Sequence, residues 1–595
     1  MAKLEIYLNE YNIPMDNTVY FPLASGQLRA YAESIPDIRD NYQFMPFIFI
    51  RDNPDHILKQ YNNPAVVGFS CSMWNINLSL EVARRVKERF PNCLVVFGGP
   101  SVPLDAFSFL CNYPFIDITV RGEGEYTFSE ILLTLLKARD FGFINGISWR
   151  SSDGVIYRES DRQLEDNLDV FPSPYLSGVY EYLWSTGIKF QAVVETNRGC
   201  PFKCSYCFWG HGKKLRLYSL ERVREVADWC GRNRIEYVFC ADSNFGILRR
   251  DLEIARYFVD AKQKYGFPDK FRACYGKNAE ETIFQIGDLL HEHDMEKGIT
   301  LSRQSNDTQT LNNVGRRNIK QSVYNNLQKR YNAKNIPVYT ELILGLPGET
   351  YHSFISGLET ILQSGMRNQI IVYICEVYPN TELADPSYQK RFGIKTIKVP
   401  LTEIHGSIRP DNIPKEYNEI VIGTSTMPTE DWMRALVISW IMQLLHGLKL
   451  GFHVLDYMVR QHNIKYTSFF EYLVDCRPGR VLGKTIRGFQ LWANHISKGG
   501  GRGCINRKFG DIYWEPEESA YLDICQVKDE FYRELYQVCR EYIGGDDKGL
   551  MEVIEYQKQI IPDISDYGDN KTFARQVVIY GRKSNKMVRA MGGIT

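Results

Sequence analysis

Three cysteines, Cys200, Cys204 and Cys207, fall within eight residues in the spacing C-x3-C-x2-C, directly behind an expected strand at 191–196. This feature constrains the chain most, because a loop that gathers three thiols needs a strand to feed it and a fold to shelter it. Three thiolates can hold three irons of a 4Fe–4S cluster and leave the fourth open, whereas electron-transfer clusters take four Cys ligands. A zinc site would want four ligands and paired C-x2-C knuckles. Only His211 lies close enough downstream to complete one, and the Cys200 to Cys204 spacing is loose for a knuckle. A disulfide and cysteines without a role are the remaining readings.

The spacing, with the aromatic Tyr206 before the last Cys, resembles the signature of the radical S-adenosylmethionine (SAM) enzymes. The resemblance implies that Cys200, Cys204 and Cys207 hold the cluster. It also implies that the open iron binds the amino and carboxylate groups of SAM, with Tyr206 near the adenine. Strands are expected over 191–196, 237–240, 271–278, 299–305, 338–344 and 370–377, with a helix over 220–232. That order resembles the family's partial (βα)6 barrel, and barrel enzymes carry their sites at the carboxyl ends of the strands. The candidates there are Asp242, Ser243 and Asn244 for the SAM ammonium, and Ser302, Arg303 and Gln304 for ribose and carboxylate. The planar guanidinium of Arg303 suits a carboxylate. The turn GLPGET, with Gly345 and Glu349, resembles the family's loop beside adenine. Taken singly, each of these reads as a cap or turn residue. Their order behind the cysteine loop gives them weight.

Ahead of the cysteines the chain alternates strand and helix. Strands are expected at 4–8, 65–70, 93–97 and 116–120, with helices over 80–90 and 128–137. Val82, Val86 and Phe90 share one face of the first helix, and Arg84, Lys87, Glu88 and Arg89 lie outside it. Such alternation builds a parallel sheet whose ligands sit beyond the carboxyl ends of its strands. Those ends hold Ser70, Cys71, Trp74 and Asn75; Gly98, Gly99 and Pro100; and Gly122, Glu123, Gly124 and Glu125. No G-x-G-x-x-G fingerprint follows the first strand, so a plain Rossmann-like nucleotide domain lacks its motif.

With the cysteine loop downstream, GFSCSMWN, VVFGGPSVP and VRGEGEYTF resemble the cobalamin-binding domain that precedes the barrel in many radical SAM proteins. The chain carries no D-x-H-x-x-G loop, and His56 in RDNPDHILKQ does not fit one. The resemblance therefore implies cobalamin without a protein His below cobalt. Trp74 is a candidate to shield that lower face, ordinary packing being the even alternative.

Length and charge bound the rest. A chain of 595 residues suggests about three to five domains by length alone. The expected division is a Rossmann-like cobalamin domain over 1–150, a linker over 151–188, the barrel over 189–395 and a mostly helical cap over 396–595. Lys plus Arg and Asp plus Glu both number 71, so charge makes no case for nucleic acid or an acidic membrane. Fourteen cysteines without a pairing pattern suit a reducing cytoplasm. The N-terminus has no signal-peptide pattern, and no run approaches a membrane span. In the C-terminal part, 394–424 reads as irregular, and helices are expected at 431–450, 451–462, 517–543 and 549–559. The run from Gly499 to Cys504 reads as a mobile loop or a lid, and the tail over 573–595 is basic.

The resemblance as a whole implies three cofactors: a 4Fe–4S cluster, SAM and cobalamin. It implies a methyltransferase that opens an unactivated carbon of a natural product or peptide with a 5′-deoxyadenosyl radical and methylates it from methylcobalamin, drawing electrons from a flavodoxin or ferredoxin. No protein acid or base is assigned a catalytic role beyond the cluster. A cobalamin radical SAM cyclase, ring-contracting or rearrangement enzyme is the alternative, and a non-enzymatic sensor a more distant one.

Overall fold

The computed structural model describes residues 2–15, 18–209, 214–276, 280–476 and 478–562. His211, the end of the expected third barrel strand at 277–278 and the basic tail lie outside the described residues. The chain forms two compact units: Met1–Lys297 with Tyr378–Asp385 and Arg409–Asn418, and Gly298–Val377 with Pro386–Ile408 and Glu419–Thr595. The N-terminal sheet and the first barrel strands thus share one unit, across the expected boundary at 189.

In the first unit an eight-stranded sheet runs Tyr42–Phe44, Leu4–Asn12, Pro64–Ser70, Leu94–Gly98, Ile118–Val120, Ile147–Arg150, Ile156–Arg158, with Ile48–Ile50 on Leu4–Asn12. Pairing is parallel through Ile118–Val120, and an antiparallel hairpin closes that edge. The run PAVVGFS is buried on both faces, as a near-continuous apolar strand between two helical layers should be. Its alternation divides the core. Val66 packs with Leu8, Phe128 and Ile131 on one side, and Val67 and Phe69 with Val82 and Val86 on the other. The helix expected over 80–90 spans Ile76–Arg89, starting four residues earlier. Helix Leu23–Ser34, which the sequence reading did not mark, covers the first side. The half-buried Glu10 accepts the Ser25 N–H on its carboxylate at 2.7 Å at the start of that helix.

A second sheet in this unit orders Lys270–Tyr275, Tyr237–Phe245, Lys189–Val194 and Thr18–Tyr20, all parallel. Thr18–Tyr20 is too short to show a period, so its place beside the strand that feeds the cysteine loop had no sequence signal. The linker is packed: Phe171, Tyr175, Val179 and Tyr180 join the same core.

In the second unit Ile299–Thr300, Val338–Leu344 and Ile370–Ile374 form a parallel three-stranded sheet. The fourth barrel strand ends at Thr300 rather than 305, and Gln304 turns left-handed (φ 64°) to make an isolated bridge with Leu342. The expected helix over 431–450 is Thr429–Met442 followed by a π-turn at Gln443–Gly447. The left-handed Lys449 then redirects the chain. The expected helix over 517–543 is two, Pro516–Cys525 and Lys528–Ile543. Strands Lys395–Pro400 and Tyr417–Gly423 pair where irregular chain was expected.

The glycine run is fastened. Trp492 Nε1 donates to Arg502 O at 2.8 Å, Gly503 N–H to Thr402 Oγ1 at 3.1 Å and Gly500 N–H to His495 O at 2.9 Å. Among the described residues no single helix is long and apolar enough to cross a membrane. The pair Thr429–Gly447 and Phe452–His462 passes together by length and composition, bent by 96°.

Candidate functional site

A cavity of about 360 Å³ opens within the first unit. One side is the carboxyl end of the eight-stranded sheet: Ser70, Gly98, Gly99, Gly122, Glu123, Gly124 and Glu125. The other side is the shoulder of the cysteine loop: Gly199, Phe208, Trp209 and Ser243. Helix Leu23–Ser34 supplies Ala24, Ser25, Gln27 and Leu28. Gly122 has φ +75°, and a Cβ there would meet nothing within 4 Å, so the backbone stands bare. Gly99 has φ +99°, and a Cβ there would lie 2.6 Å from Cys71 O. Its turn is locked because Cys71 N–H donates to Gly98 O at 2.7 Å and Ser101 N–H to Cys71 O at 3.0 Å.

Cys71, Trp74, Asn75 and Pro100 stand outside the cavity lining. Cys71 is fully buried, and its thiol is pushed far up by burial. Asn75 is fully buried and spends its amide on nearby backbone, donating to Tyr11 O and Ser70 O and accepting Ser72 N–H. Trp74 is half-buried beside it.

The cysteine loop leaves strand Lys189–Val194 through Thr196 and Asn197, and Asp242 fixes that exit. Its buried carboxylate accepts Thr196 N–H at 2.8 Å, Asn197 N–H at 3.2 Å, Asn197 Nδ2 at 2.6 Å and the Thr196 hydroxyl. Burial pushes its carboxyl up to about 7 against those donors. Asp242 is thus saturated by protein. Its neighbours point to the loop: Ser243 Oγ donates to Gly199 O at 2.8 Å, and Asn244 Nδ2 donates to Cys200 Sγ at 3.1 Å. Asn244 Oδ1 is buried without a hydrogen-bond partner, an acceptor for which an ammonium is a fitting donor. Cys200 and Cys204 are buried and Cys207 and Tyr206 half-buried. Among the described residues no three His, Cys, Asp or Glu side chains converge on a single ion. A donor on one thiolate and shelter for the loop fit a cluster, whose sulfurs are tuned by hydrogen bonding and exposure.

Two arginines that the sequence did not mark, Arg198 and Arg216, tie the two walls together. The Arg198 guanidinium reaches Glu125 at 2.7 Å and Glu195 at 3.1 Å, and lies 3.6 Å from Glu123. Arg216 pairs with Glu123 as well. Gln27 donates to Glu195 at 2.9 Å. Burial opposes the Arg198 charge, but the glutamates hold its pKa well above the usual value. The position of Arg198 two residues before Cys200 was its only sequence signal.

The remaining SAM candidates lie in the second unit. Ser302 donates to Glu341, and the buried Arg303 is occupied by Asn306, Ile319 O and Gln321, with its guanidinium over the Tyr324 ring. No carboxylate is among those partners. Gln304 Oε1 is buried without a partner. Gly345 turns at φ +100° against Val421. Glu349 accepts Ser305 Oγ at 2.6 Å on one oxygen, and its other oxygen is buried without a partner. Burial pushes its carboxyl up to about 8, which leaves it largely protonated at neutral pH.

Comparison with known proteins covers both regions. The B12 binding domain family matches residues 49–132, and the radical SAM superfamily matches 194–361. The chain is 33% identical over 590 residues to the cobalamin-dependent radical SAM methyltransferase TokK of Streptomyces tokunonensis, covering 93% of this chain and 85% of that protein. It is 36% identical to the 2-(S-pantetheinyl)-carbapenam-3-carboxylate methyltransferase of Streptantibioticus cattleyicolor, covering 82% and 72%. Among solved structures it resembles the cobalamin-dependent SAM radical enzyme OxsB with aqua-cobalamin and SAM bound (TM-score 0.56, 14% identity, 100% and 81% covered). It also resembles the radical SAM methyltransferase TsrM of Kitasatospora setae with cobalamin and a [4Fe–4S] cluster bound (TM-score 0.55, 14% identity, 82% and 99% covered).

Proposed function

The chain belongs to the cobalamin-dependent radical SAM methyltransferases, and we propose that it methylates an unactivated carbon of a small carboxylated natural product. The observation that carries this reading is the cavity walled on one side by the sheet's bare glycine turns and on the other by the cysteine loop. When bound, the cluster and SAM supply a hydrogen-abstracting radical and cobalamin a carried methyl group, chemistry that protein side chains lack.

In this reading Gly98, Gly99 and Gly122 to Glu125 seat the corrin, and Cys200, Cys204 and Cys207 hold the cluster. Asn244 supports the Cys200 sulfur and offers Oδ1 to the SAM ammonium. Glu349, largely protonated at neutral pH, can donate a hydrogen bond at the GLPGET turn. Arg198 and Arg216, by pairing Glu123 and Glu125, keep carboxylate charge from standing unpaired in the cavity wall. The electron donor is a flavodoxin or ferredoxin, and the compartment is the cytoplasm, where scattered cysteines stay reduced.

The relative that acts on 2-(S-pantetheinyl)-carbapenam-3-carboxylate makes that compound the first substrate to test. The protein is reconstituted anaerobically with iron, sulfide and hydroxocobalamin, then given a reductant, this substrate and SAM deuterated at its methyl. A trideuteromethyl group gained by the substrate supports the reading. Labelled cobalamin without labelled substrate keeps methyl transfer and discards this substrate. Formation of 5′-deoxyadenosine with label on neither overturns methyl transfer and turns the search to ring closure or rearrangement.

A further inference from the structure

We propose that Tyr378–Asp385 is a strap that sets the spacing between the two cofactor loops of the first unit, and that Asn380 is its positioning residue. The inference rests on the reading that the turn after Gly98 seats cobalamin and the cysteine loop seats the cluster.

Asn380 is left-handed at φ 65° and uses every polar group of its amide on one turn. Its Oδ1 accepts Leu104 N–H at 2.8 Å, and its Nδ2 donates to Val102 O at 2.9 Å and to Pro100 O at 3.2 Å. That turn follows directly on Gly98 and Gly99, which line the cavity. Three residues further on, Leu383 N–H donates to Ser205 O at 2.9 Å. Ser205 is buried between Cys204 and Cys207.

The strap itself is stiffened. Thr381 Oγ1 donates to Tyr378 O at 2.7 Å, and Glu382–Ala384 closes into a 3-10 turn. Three residues of chain span at most about 11 Å even when extended. A short, hydrogen-bonded segment fastened to both loops therefore limits how far either can move from the other. Two cofactors that must act on one carbon need such a limit, because a 1 Å misplacement in a reacting geometry can cost about a hundred-fold in rate.

Two variants separate the side chain from the fold. Asn380→Asp keeps the shape, the tolerance of a left-handed backbone and the acceptor for Leu104 N–H, but turns an oxygen toward two carbonyls. Asn380→Gly keeps the backbone and removes the amide. Each reconstituted protein is assayed for iron per chain and titrated with hydroxocobalamin. Bound cobalt is then reduced to Co(II) by ascorbate, which leaves the cluster oxidised, and its EPR signal is recorded before and after dithionite reduces the cluster. The strap predicts wild-type iron content in both variants, hydroxocobalamin affinity weaker by about ten-fold, and loss of the relaxation of the Co(II) signal by the reduced cluster. Wild-type affinity and spin coupling in both variants would overturn it. So would a change confined to Asn380→Gly, because the two donated hydrogen bonds would then position nothing. A wild-type protein that takes up no hydroxocobalamin overturns the functional reading, and the strap with it.

Discussion

Asn244 donates to the Cys200 sulfur at 3.1 Å, and such a bond favours the reduced, more negative state of a cluster. Asn244→Leu is expected to keep iron bound but lower the cluster's reduction potential by on the order of 60 mV, the equivalent of one hydrogen bond of about 1.4 kcal/mol. Spectroelectrochemical titration checks this. Alanine at Cys200, Cys204 or Cys207 should strip iron from the reconstituted protein and stop 5′-deoxyadenosine formation, while Cys504→Ala keeps both. Glu349 gives a pH signature. Its carboxyl is raised to about 8 by burial, so the stability it contributes is complete below its unfolded value of about 4.3 and is lost as pH rises through 8. Glu349→Gln, which stays neutral, should gain on the wild type between pH 6 and pH 9. Urea unfolding at both values reads the difference, and an unchanged difference would rule the charge out.

At the scale of elements, the turns behind the strands decide the ligand and the strands only present them. Gly99 and Gly122 are both left-handed glycines on one sheet edge, yet their surroundings differ. A Cβ at Gly99 runs into the Cys71 backbone, and one at Gly122 enters open space. Gly99→Ala is expected to destabilise the first unit by on the order of 2 kcal/mol. Gly122→Ala should cost only about 1 kcal/mol but weaken hydroxocobalamin binding, because the new methyl group occupies the cradle. Thermal unfolding and a cobalamin titration on the two proteins separate strain from blocked space. The sequence marked both glycines as one class, since composition shows a turn but not what faces it.

At the scale of the whole molecule, distant segments return to the first unit and finish its elements. Glu416 accepts Asn77 N–H and Leu78 N–H, both at 2.9 Å, at the start of helix Ile76–Arg89. That helix has no side-chain cap from its own N-cap residue, Asn75, and it begins directly behind Trp74 and Asn75. Glu416→Ala should cost about 1–2 kcal/mol, and hydrogen exchange should rise first in the opening turn of this helix. The helix itself was visible in the spacing of Val82 and Val86. Its cap, some 340 residues away, has no local signal.

The sequence by itself determined the chemistry and the order of parts. Three cysteines on one loop, the polar residues at each strand end and the GLPGET turn are each contained in a few consecutive residues, so short-range pattern carries them. Only the tertiary structure decided which of those polar ends are spent and which are open. Asp242 and Arg303 are engaged by neighbouring protein groups, whereas Asn244 and Glu349 each keep a buried atom without a partner. It also decided that Arg198, Asn380 and Glu416 join the loops. Hydrogen bonds and ion pairs are satisfied in space, and buried polar groups take whichever partner the fold brings near, so sequence position does not name that partner.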